Sequence, residues 1–494
     1  MYNINGLKEA FMGKIRTRFA PSPTGYMHIG NLRTALYAYL VAKKDNGDFI
    51  LRIEDTDQNR QVDGAVDIIY NTLKACGLKH DEGPDVGGNF GPYVQSERMK
   101  QGIYKEYAMK LVEKGAAHIC FCKEEDIQAN KDAYDENIDK FLYIDPCKKL
   151  SKEEIETRIN NGEEYVIRQT IDPNGTTYFD DEVYGRVTVD NSTLDEMILV
   201  KSDGYPTYNF ANVIDDHLMG ITDVVRGNEY LSSTPKYNIL YDAFGWEKPR
   251  YIHCPPVMKD EHQKLSKRNG DASFQDLVDK GYLPQAILNY IALLGWAPSE
   301  DREIYSLDEL CKAFDVKRIG TSGAIFDIEK LKWMNSVYLR NMDIDKYHEL
   351  LKPEIMKYVD QKYNTKDIAT VLKDRVQILT DVEGMVDFFN SPRDYNINIY
   401  NNKKAKTDPE IAKKSLELAL TKLKELDSFT NDDIFNCLAD VAKENELKNI
   451  TIMYPIQVAL SGKEVAAGGA TMIAQILGKE ESIKRIEKAL EKFN

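Results

Sequence analysis

The stretch APSPTGYMHIGN, residues 20 to 31, sets a histidine between a proline-containing loop and the start of a helical pattern. Pro21 and Pro23 hold the loop extended, while Gly25 and Gly30 let another group approach the backbone closely. A helix opening at this point presents unpaired N–H groups and the positive end of its dipole, which suit a phosphate, and the imidazole of His28 adds a donor. His28 fits a plain helix cap equally well, so the motif alone leaves both roles open. A second constellation, KLSKR at residues 264 to 268, lies in the loop-like text MKDEHQKLSKRNGD. Its three cations and one hydroxyl could follow a polyphosphate as its charge redistributes, although a solvated basic turn fits the same letters. The chain has no GxxxxGK[ST] loop, no GxGxxG after the first strand, no HExxH and no GxSxG elbow. Any chemistry must rest on the two motifs it does have.

These motifs need a frame. Residues 14 to 19 read as a strand, 29 to 44 as a helix with apolar positions Leu32, Leu36, Tyr39 and Leu40, and 48 to 54 as a second strand. A right-handed crossover makes the two strands parallel in a doubly wound sheet, and ligands of such sheets bind beyond the carboxyl ends of the strands, where the first motif falls. From residue 116 to 205 the text changes to acidic helical stretches, short β-rich pieces (YVIRQTI, RVTVD, MILVK) and turn formers, which reads as an insertion between two halves of the sheet. The second half resumes in GYPTYNFANVIDDHLMGITDVVRG and ends in the short strand of RYIHCPPVM. Beyond about residue 260 helical patterns dominate and strand signals nearly vanish.

At 494 residues the chain exceeds what one core organises, so several domains are expected. With 42% hydrophobic and 29% charged residues it has an ordinary globular composition. No apolar run reaches the length of a membrane span, and MYNINGLKEAFMGK lacks the features of a secretory signal, so a cytoplasmic protein with no membrane contact is expected. Seven unevenly spread cysteines point to reduced thiols. A net charge of −15 argues against indiscriminate binding to nucleic acid. An RNA partner would have to meet local basic surface such as Lys317 with Arg318, or Lys403, Lys404 and Lys406, and scattered solvated lysines explain those stretches too.

Taken together, the two motifs resemble the HIGH and KMSKS signatures of class I aminoacyl-tRNA synthetases. The blocks RTRFAPSPTGYMHIGNLRTAL, FILRIEDTD, HDEGPDVGG, GPYVQSER, LVKSDGYPTYNFANVIDDHLMGITDVVRG and KLSKR follow the order and spacing typical of bacterial-type glutamyl-tRNA synthetases. HIGN and KLSKR depart from the signatures at positions where that family commonly varies. The resemblance implies an α/β, doubly wound Rossmann-type catalytic domain with an α+β insertion, followed by all-α stem-contact and anticodon-binding domains. The expected boundaries are a tail at 1–13, the sheet halves at 14–115 and 206–260, an acceptor-end-binding insertion at 116–205, the stem-contact domain with KLSKR at 261–340 and the anticodon domain at 341–494. Helical text at the C-terminus, such as EESIKRIEKALEKF, separates this reading from glutaminyl enzymes, which end in β-barrels, and from a truncated relative that lacks the anticodon domain.

The implied reaction has two steps at one site: the α-carboxylate of L-glutamate attacks the α-phosphate of ATP, and the adenylate then esterifies the end of the glutamate tRNA. The implied cofactors are ATP and the Mg2+ that accompanies it. By the same resemblance His28 and Lys267 are catalytic, His28 contacting the phosphates and Lys267 stabilising the leaving pyrophosphate. Gly30, Asn31, Lys264 and Ser266 complete the ATP set. Arg18, Tyr208 and Asn212 are expected to read the side-chain carboxylate of glutamate, Arg226 the α-carboxylate, and Ser22 with Glu54 the ammonium, with Ala20 in the same pocket. A planar guanidinium matches a carboxylate bidentately, which suits both arginines. From the residues alone, Glu54 and Asp55 fit turn caps and Tyr208 a half-buried core aromatic equally well.

Cys120, Cys122 and Cys147 form a CxCx24C pattern resembling the zinc site that some members carry in the insertion. Lys149 stands where those relatives have a fourth ligand, and protonated lysine offers no lone pair, so the expectation is no bound metal, with a three-cysteine zinc site as the alternative. Near the anticodon region, in DRVQILTDVEGM, Arg375 is the nearest candidate for discriminating tRNAs. Whether the glutamine tRNA is also charged stays open at this point. A monomer is expected, as is usual in the family.

Overall fold

The computed structural model describes residues 13–57, 60–123, 125, 145–265 and 273–493. The chain divides into two compact units, one of Met1–Leu277 with Ile287–Asp327 and the other of Val278–Ala286 with Ile328–Asn494.

The first unit is built on a six-stranded sheet in the order β2-β1-β8-β9-β5-β6. Strand β1 (Arg16–Phe19) leads into helix α1 (Ile29–Lys44), and the chain returns in β2 (Asp48–Leu51), parallel to β1 with Arg18 opposite Ile50. The second strand therefore stops short of the expected residue 54, its ladder giving way to an isolated bridge between Ile53 and Val94. All eight residues of these two strands are buried, as strands covered on both faces must be. Helix α1 carries apolar residues nearly all round, with Ile29, Leu32, Leu36, Tyr37, Leu40 and Val41 buried. It is a helix packed inside the unit, which is why its sequence reads as more than one stripe.

Between the sheet halves lies a separate antiparallel sheet of β3 (Ala117–Cys120), β4 (Val166–Gln169) and β7 (Ile198–Val200). The hairpin within the same stretch does something else. Strands β5 (Thr176–Asp181) and β6 (Gly185–Asp190) join the main sheet, with β5 parallel to β9 and Asp181 opposite Tyr251. The region from 116 to 205, read from sequence as lying outside the main sheet, thus supplies that sheet's edge. Alternation explains the placement: Phe179 and Asp181 point inward while Tyr178 and Asp180 face solvent, a half-buried pattern that suits an edge hairpin.

Helix α2 (Tyr208–Leu218) precedes β8 (Asp223–Gly227), and helix α3 (Thr234–Phe244) precedes β9 (Arg250–Cys254). Strands β8 and β9 run parallel with Arg226 opposite His253, so these two side chains lie on one face. A short parallel pair, β10 (Val257–Met258) and β11 (Ala324–Ile325), closes this unit's later segment.

The second unit is helical, in agreement with its sequence pattern. Helices α4 (Pro409–Glu425), α5 (Asn431–Glu444), α7 (Gly469–Leu477) and α8 (Lys479–Glu491) bury one face each, through residues such as Leu416, Leu438, Ile473 and Ile486, while α6 (Asn449–Ser461) is buried nearly all round. Asp408 caps α4 by accepting from the Ile411 amide at 2.8 Å, and Pro409 occupies its first turn. Buried Arg485 on α8 pairs with Glu481 one turn back at 2.8 Å and donates to the carbonyls of Phe388, Phe389 and Leu460, which anchors the last helix. Among the described residues no helix is long and apolar enough to cross a membrane. All seven cysteines are free thiols.

Candidate active site

The loop after β1 is tied to the second strand's end by backbone bonds. The Arg52 amide donates to Phe19 O at 3.0 Å, the Glu54 amide to Pro21 O at 3.0 Å, and the Val62 amide to Pro23 O at 3.1 Å. Gly25, at φ 110°, takes the turn inside the loop that an L-residue resists. A cleft of about 400 Å³ opens beyond the strand ends, lined by residues that include Arg18, Ala20, Ser22, Asn31, Glu54, Tyr208 and Arg226. The structure therefore brings most of the expected glutamate-binding residues to one place. Asn212 is an exception: it is buried on α2, and its amide nitrogen donates to Tyr208 O and Asn209 O of its own helix turn. Thr24, Thr34, Thr56, Asp57, Arg60, Gln61, Glu229 and Tyr230 line the cleft without having been singled out from the sequence. Tyr230 packs on Tyr208 with ring centroids 5.3 Å apart.

His28 caps α1. Its Nδ1 accepts from the Gly30 amide at 3.0 Å, and a β-carbon at Gly30 would lie 3.2 Å from that nitrogen, so the cap favours glycine there. His28 and Gly30 are not among the cleft-lining residues, whereas Asn31 is. Lys264 is exposed and bridges back to Met258, and Leu265 N donates to Val257 O, which sets the first two residues of KLSKR beside β10. Ser266, Lys267 and Arg268 lie outside the described residues.

The cleft's charges are set from beneath. Arg18 Nε donates to Asp216 Oδ1 at 3.0 Å and its Nη1 to Val225 O at 3.2 Å, which among the described residues leaves Nη2 for a ligand. Asp216 Oδ1 also accepts from Arg52 Nη1 at 2.7 Å, while Arg52 Nη2 pairs with Glu54 at 3.0 Å. The neighbouring Asp215 takes Arg98, Tyr104 and Gln95. All of these groups are buried. Burial pushes the Glu54 carboxyl up to about 7 despite Arg52 and Arg18 beside it. The two arginines hold the Asp216 carboxyl below its ordinary range against the same desolvation. Neither Asp215, Asp216 nor Arg52 was singled out from the sequence. Two adjacent acids inside the apolar helical text NFANVIDDHL are the signal that marks them.

Arg226 stands differently. It is buried, its Nε donates to His253 Nε2 at 3.0 Å and its Nη2 to Thr234 Oγ1 at 2.6 Å, and the rings of Tyr230, Tyr237 and Tyr251 surround it at 4.9–5.5 Å. Among the described residues no carboxylate lies within 4.0 Å of it. A buried guanidinium without an anionic partner favours an anionic ligand.

The cysteine cluster lies in the smaller sheet's neighbourhood. Cys120, Cys122, Cys147 and Asp145 hold their ligand atoms within 4.8 Å of one another, with Cys122 Sγ 3.6 Å from both Cys147 Sγ and Asp145 Oδ1. Lys149 is exposed and takes no place in it. The obstacle seen in the sequence is thus removed by a residue on the other side of Cys147. Three thiols and a carboxylate at this spacing fit a tetrahedral zinc ion, and the Phe121 amide donating to Cys147 Sγ and His118 bound to Asp145 would hold the donor set in place.

Of the basic stretches, Lys317, Lys403, Lys404 and Lys406 are exposed, but Arg318 is occupied by the carbonyls of Ala297 and Pro298, both at 2.7 Å. Arg375 sits exposed in a turn of the helical unit.

Comparison with known proteins agrees with this arrangement. The catalytic-domain family of class I tRNA synthetases (E and Q) matches residues 14–333, and an anticodon-binding domain family matches residues 346–490. Glutamate–tRNA ligase from Clostridium kluyveri is 57% identical over 482 residues, covering 98% of this chain and 99% of its own. The enzyme of the same name from Clostridium botulinum is 57% identical over 483 residues, covering 97% and 99%. A crystal structure of a glutamate tRNA ligase from Elizabethkingia meningosepticum in complex with its amino acid superposes with a TM-score of 0.88 at 34% identity, covering 97% of this chain and all of that one. With likeness at this level over nearly its whole length, the chain belongs to the glutamate–tRNA ligase family of class I tRNA synthetases.

Proposed function

We propose that this chain is a glutamate–tRNA ligase that activates L-glutamate with ATP and transfers it to the 3′ end of the glutamate tRNA, releasing pyrophosphate and AMP. The observation that carries the reading is the cleft itself: two guanidinium groups, Arg18 and Arg226, face a space that Glu54 also lines. A dicarboxylate with one ammonium complements two cations and one acid. In this reading Arg226 holds the α-carboxylate, Arg18 with Tyr208 the side-chain carboxylate, and Ser22 with Glu54 the ammonium. A carboxylate is already a nucleophile, so the protein contributes position and charge stabilisation and needs no covalent intermediate. His28 with the entrance of α1, and Lys264, Ser266 and Lys267 of KLSKR, take the phosphates. Magnesium arriving with ATP supplies further stabilisation of phosphate charge. Asn212 acts from behind, by fixing the first turn of α2 from which Tyr208 projects.

The test is charging. Purified chain with ATP, glutamate and the cognate tRNA should form glutamyl-tRNA, with aspartate and glutamine inactive in place of glutamate. Absence of glutamate-dependent and tRNA-dependent charging would overturn the reading. The glutamine tRNA, assayed alongside, decides the scope that Arg375 and its neighbours set. We further propose that the chain works in the cytoplasm as a monomer, and that Cys120, Cys122, Cys147 and Asp145 hold a structural zinc ion that fixes the small sheet.

A further inference from the structure

The β9 strand carries a histidine that the reaction as described does not use. His253 is fully buried, yet both ring nitrogens are engaged: Nδ1 meets Asp181 Oδ2 at 2.6 Å, and Nε2 accepts from Arg226 Nε at 3.0 Å. Thr234 Oγ1 lies 3.3 Å from the same Nε2, but its hydroxyl hydrogen goes to Tyr230 O at 2.7 Å, so it offers Nε2 no donor. The carboxylate of Asp181 is itself saturated. Its Oδ1 accepts from the amides of Val183 and Tyr184, both at 2.9 Å, and Oδ2 also takes the His253 amide at 3.2 Å. An acceptor on one side and an obligatory arginine donor on the other leave one tautomer, with the proton on Nδ1 and the lone pair on Nε2.

We propose that Asp181 and His253 are positioning residues that fix the Nδ1–H tautomer and thereby aim Arg226 at the α-carboxylate of glutamate. The inference rests on Arg226 being the α-carboxylate ligand, as read above. It explains why a strand inside the region between the sheet halves reaches the main sheet: the end of β5 delivers Asp181 to β9, and β9 passes the orientation to β8 through the Arg226–His253 register. The pair also suits its cation. A neutral ring adds no charge against Arg226, and burial together with Arg226 keeps the ring neutral, outweighing the pull of Asp181 toward protonation. A carboxylate placed directly on Arg226 would compete with substrate, whereas a histidine lone pair orients it and leaves its charge for the ligand.

The decisive variant is Asp181→Asn. Its amide oxygen keeps the Val183 and Tyr184 amides, so its nitrogen must face Nδ1, and a donor there shifts the ring proton to Nε2, toward another donor on Arg226. We expect the KM for glutamate to rise roughly tenfold to a hundredfold, with the KM for ATP unchanged. A loss of folded enzyme would lower kcat and leave the KM for glutamate where it was. His253→Gln offers an acceptor toward Arg226 and a donor toward Asp181 and should retain glutamate affinity, whereas His253→Leu should lose it. Should Asp181→Asn fail to fold, 15N spectra of histidine-labelled natural chain read the tautomer directly, and the Nε2–H form at His253 would overturn the proposal. Arg226→Ala separates the two levels. If it raises the KM for glutamate and Asp181→Asn and His253→Leu do not, the relay is wrong and the site reading stands. If Arg226→Ala itself leaves that KM unchanged, the assignment of Arg226 falls and the relay with it.

Discussion

Glu54 provides the sharpest test of the site. Its carboxyl is buried, pairs with Arg52, and is nevertheless pushed up to about 7 because desolvation outweighs the cations. If Glu54 receives the substrate ammonium, only its ionised form does so, and kcat/KM for glutamate reports that ionisation in the free enzyme. With a midpoint of about 7 the carboxylate is populated about 9% at pH 6 and about 91% at pH 8, so kcat/KM for glutamate should rise about tenfold between them. The sign for stability runs the other way. A folded value above the ordinary 4.5 means that Glu54 favours the fold most below pH 4.5 and that this contribution is lost as pH rises through 7, by roughly 3 kcal/mol in all. Bound glutamate should accordingly stabilise the protein more at pH 8 than at pH 6, which thermal shift with and without glutamate measures. Steady-state charging at saturating ATP and tRNA gives the activity profile. Glu54→Gln should lower kcat/KM for glutamate and flatten its dependence between pH 6 and 8. A profile without an inflection near 7 in the natural chain, or the same inflection persisting in Glu54→Gln, would refute the reasoning.

Three further outcomes are expected. Asp216→Ala leaves Arg18 and Arg52 buried without their shared anion, so it should cost about 3–5 kcal/mol of stability by urea titration, an order larger than an exposed pair would. Purified chain should contain zinc by metal analysis, with loss of the ion in Asp145→Ala and retention in Lys149→Ala; equal zinc in both variants would remove Asp145 from the ligand set. Lys267→Ala should slow activation by about 3–4 kcal/mol, the size of one preorganised donor, and a near-normal rate of pyrophosphate exchange would remove that lysine from catalysis.

Local signals were legible in the sequence. The β1 strand, the helix from Ile29 to Lys44 and its histidine entrance, and the amphipathic helices of the C-terminal half follow from periodicity and capping, which involve residues a few positions apart. The two motifs and the blocks between them also sufficed to indicate the family and seven of the residues that line the cleft. What the tertiary structure decided is the set of partners that lie far apart in the chain. Asp181, Arg226, Thr234 and His253 converge only because β5, β8 and β9 are neighbours in one sheet. Arg18 meets Asp216, 198 residues on, because the chain leaving α2 turns into β8 beside β1, where Arg16 likewise donates to Met219 O. Asp145 stands beside the cysteines, and Lys149 does not, because Asp145 caps the short turn Pro146–Lys149, its carboxylate accepting from the Cys147 amide and meeting Cys122, and spacing alone does not give that direction. Periodicity says which face of an element is buried, but a buried polar or charged side chain needs a hydrogen-bonding partner, and the fold alone chooses which distant residue supplies it.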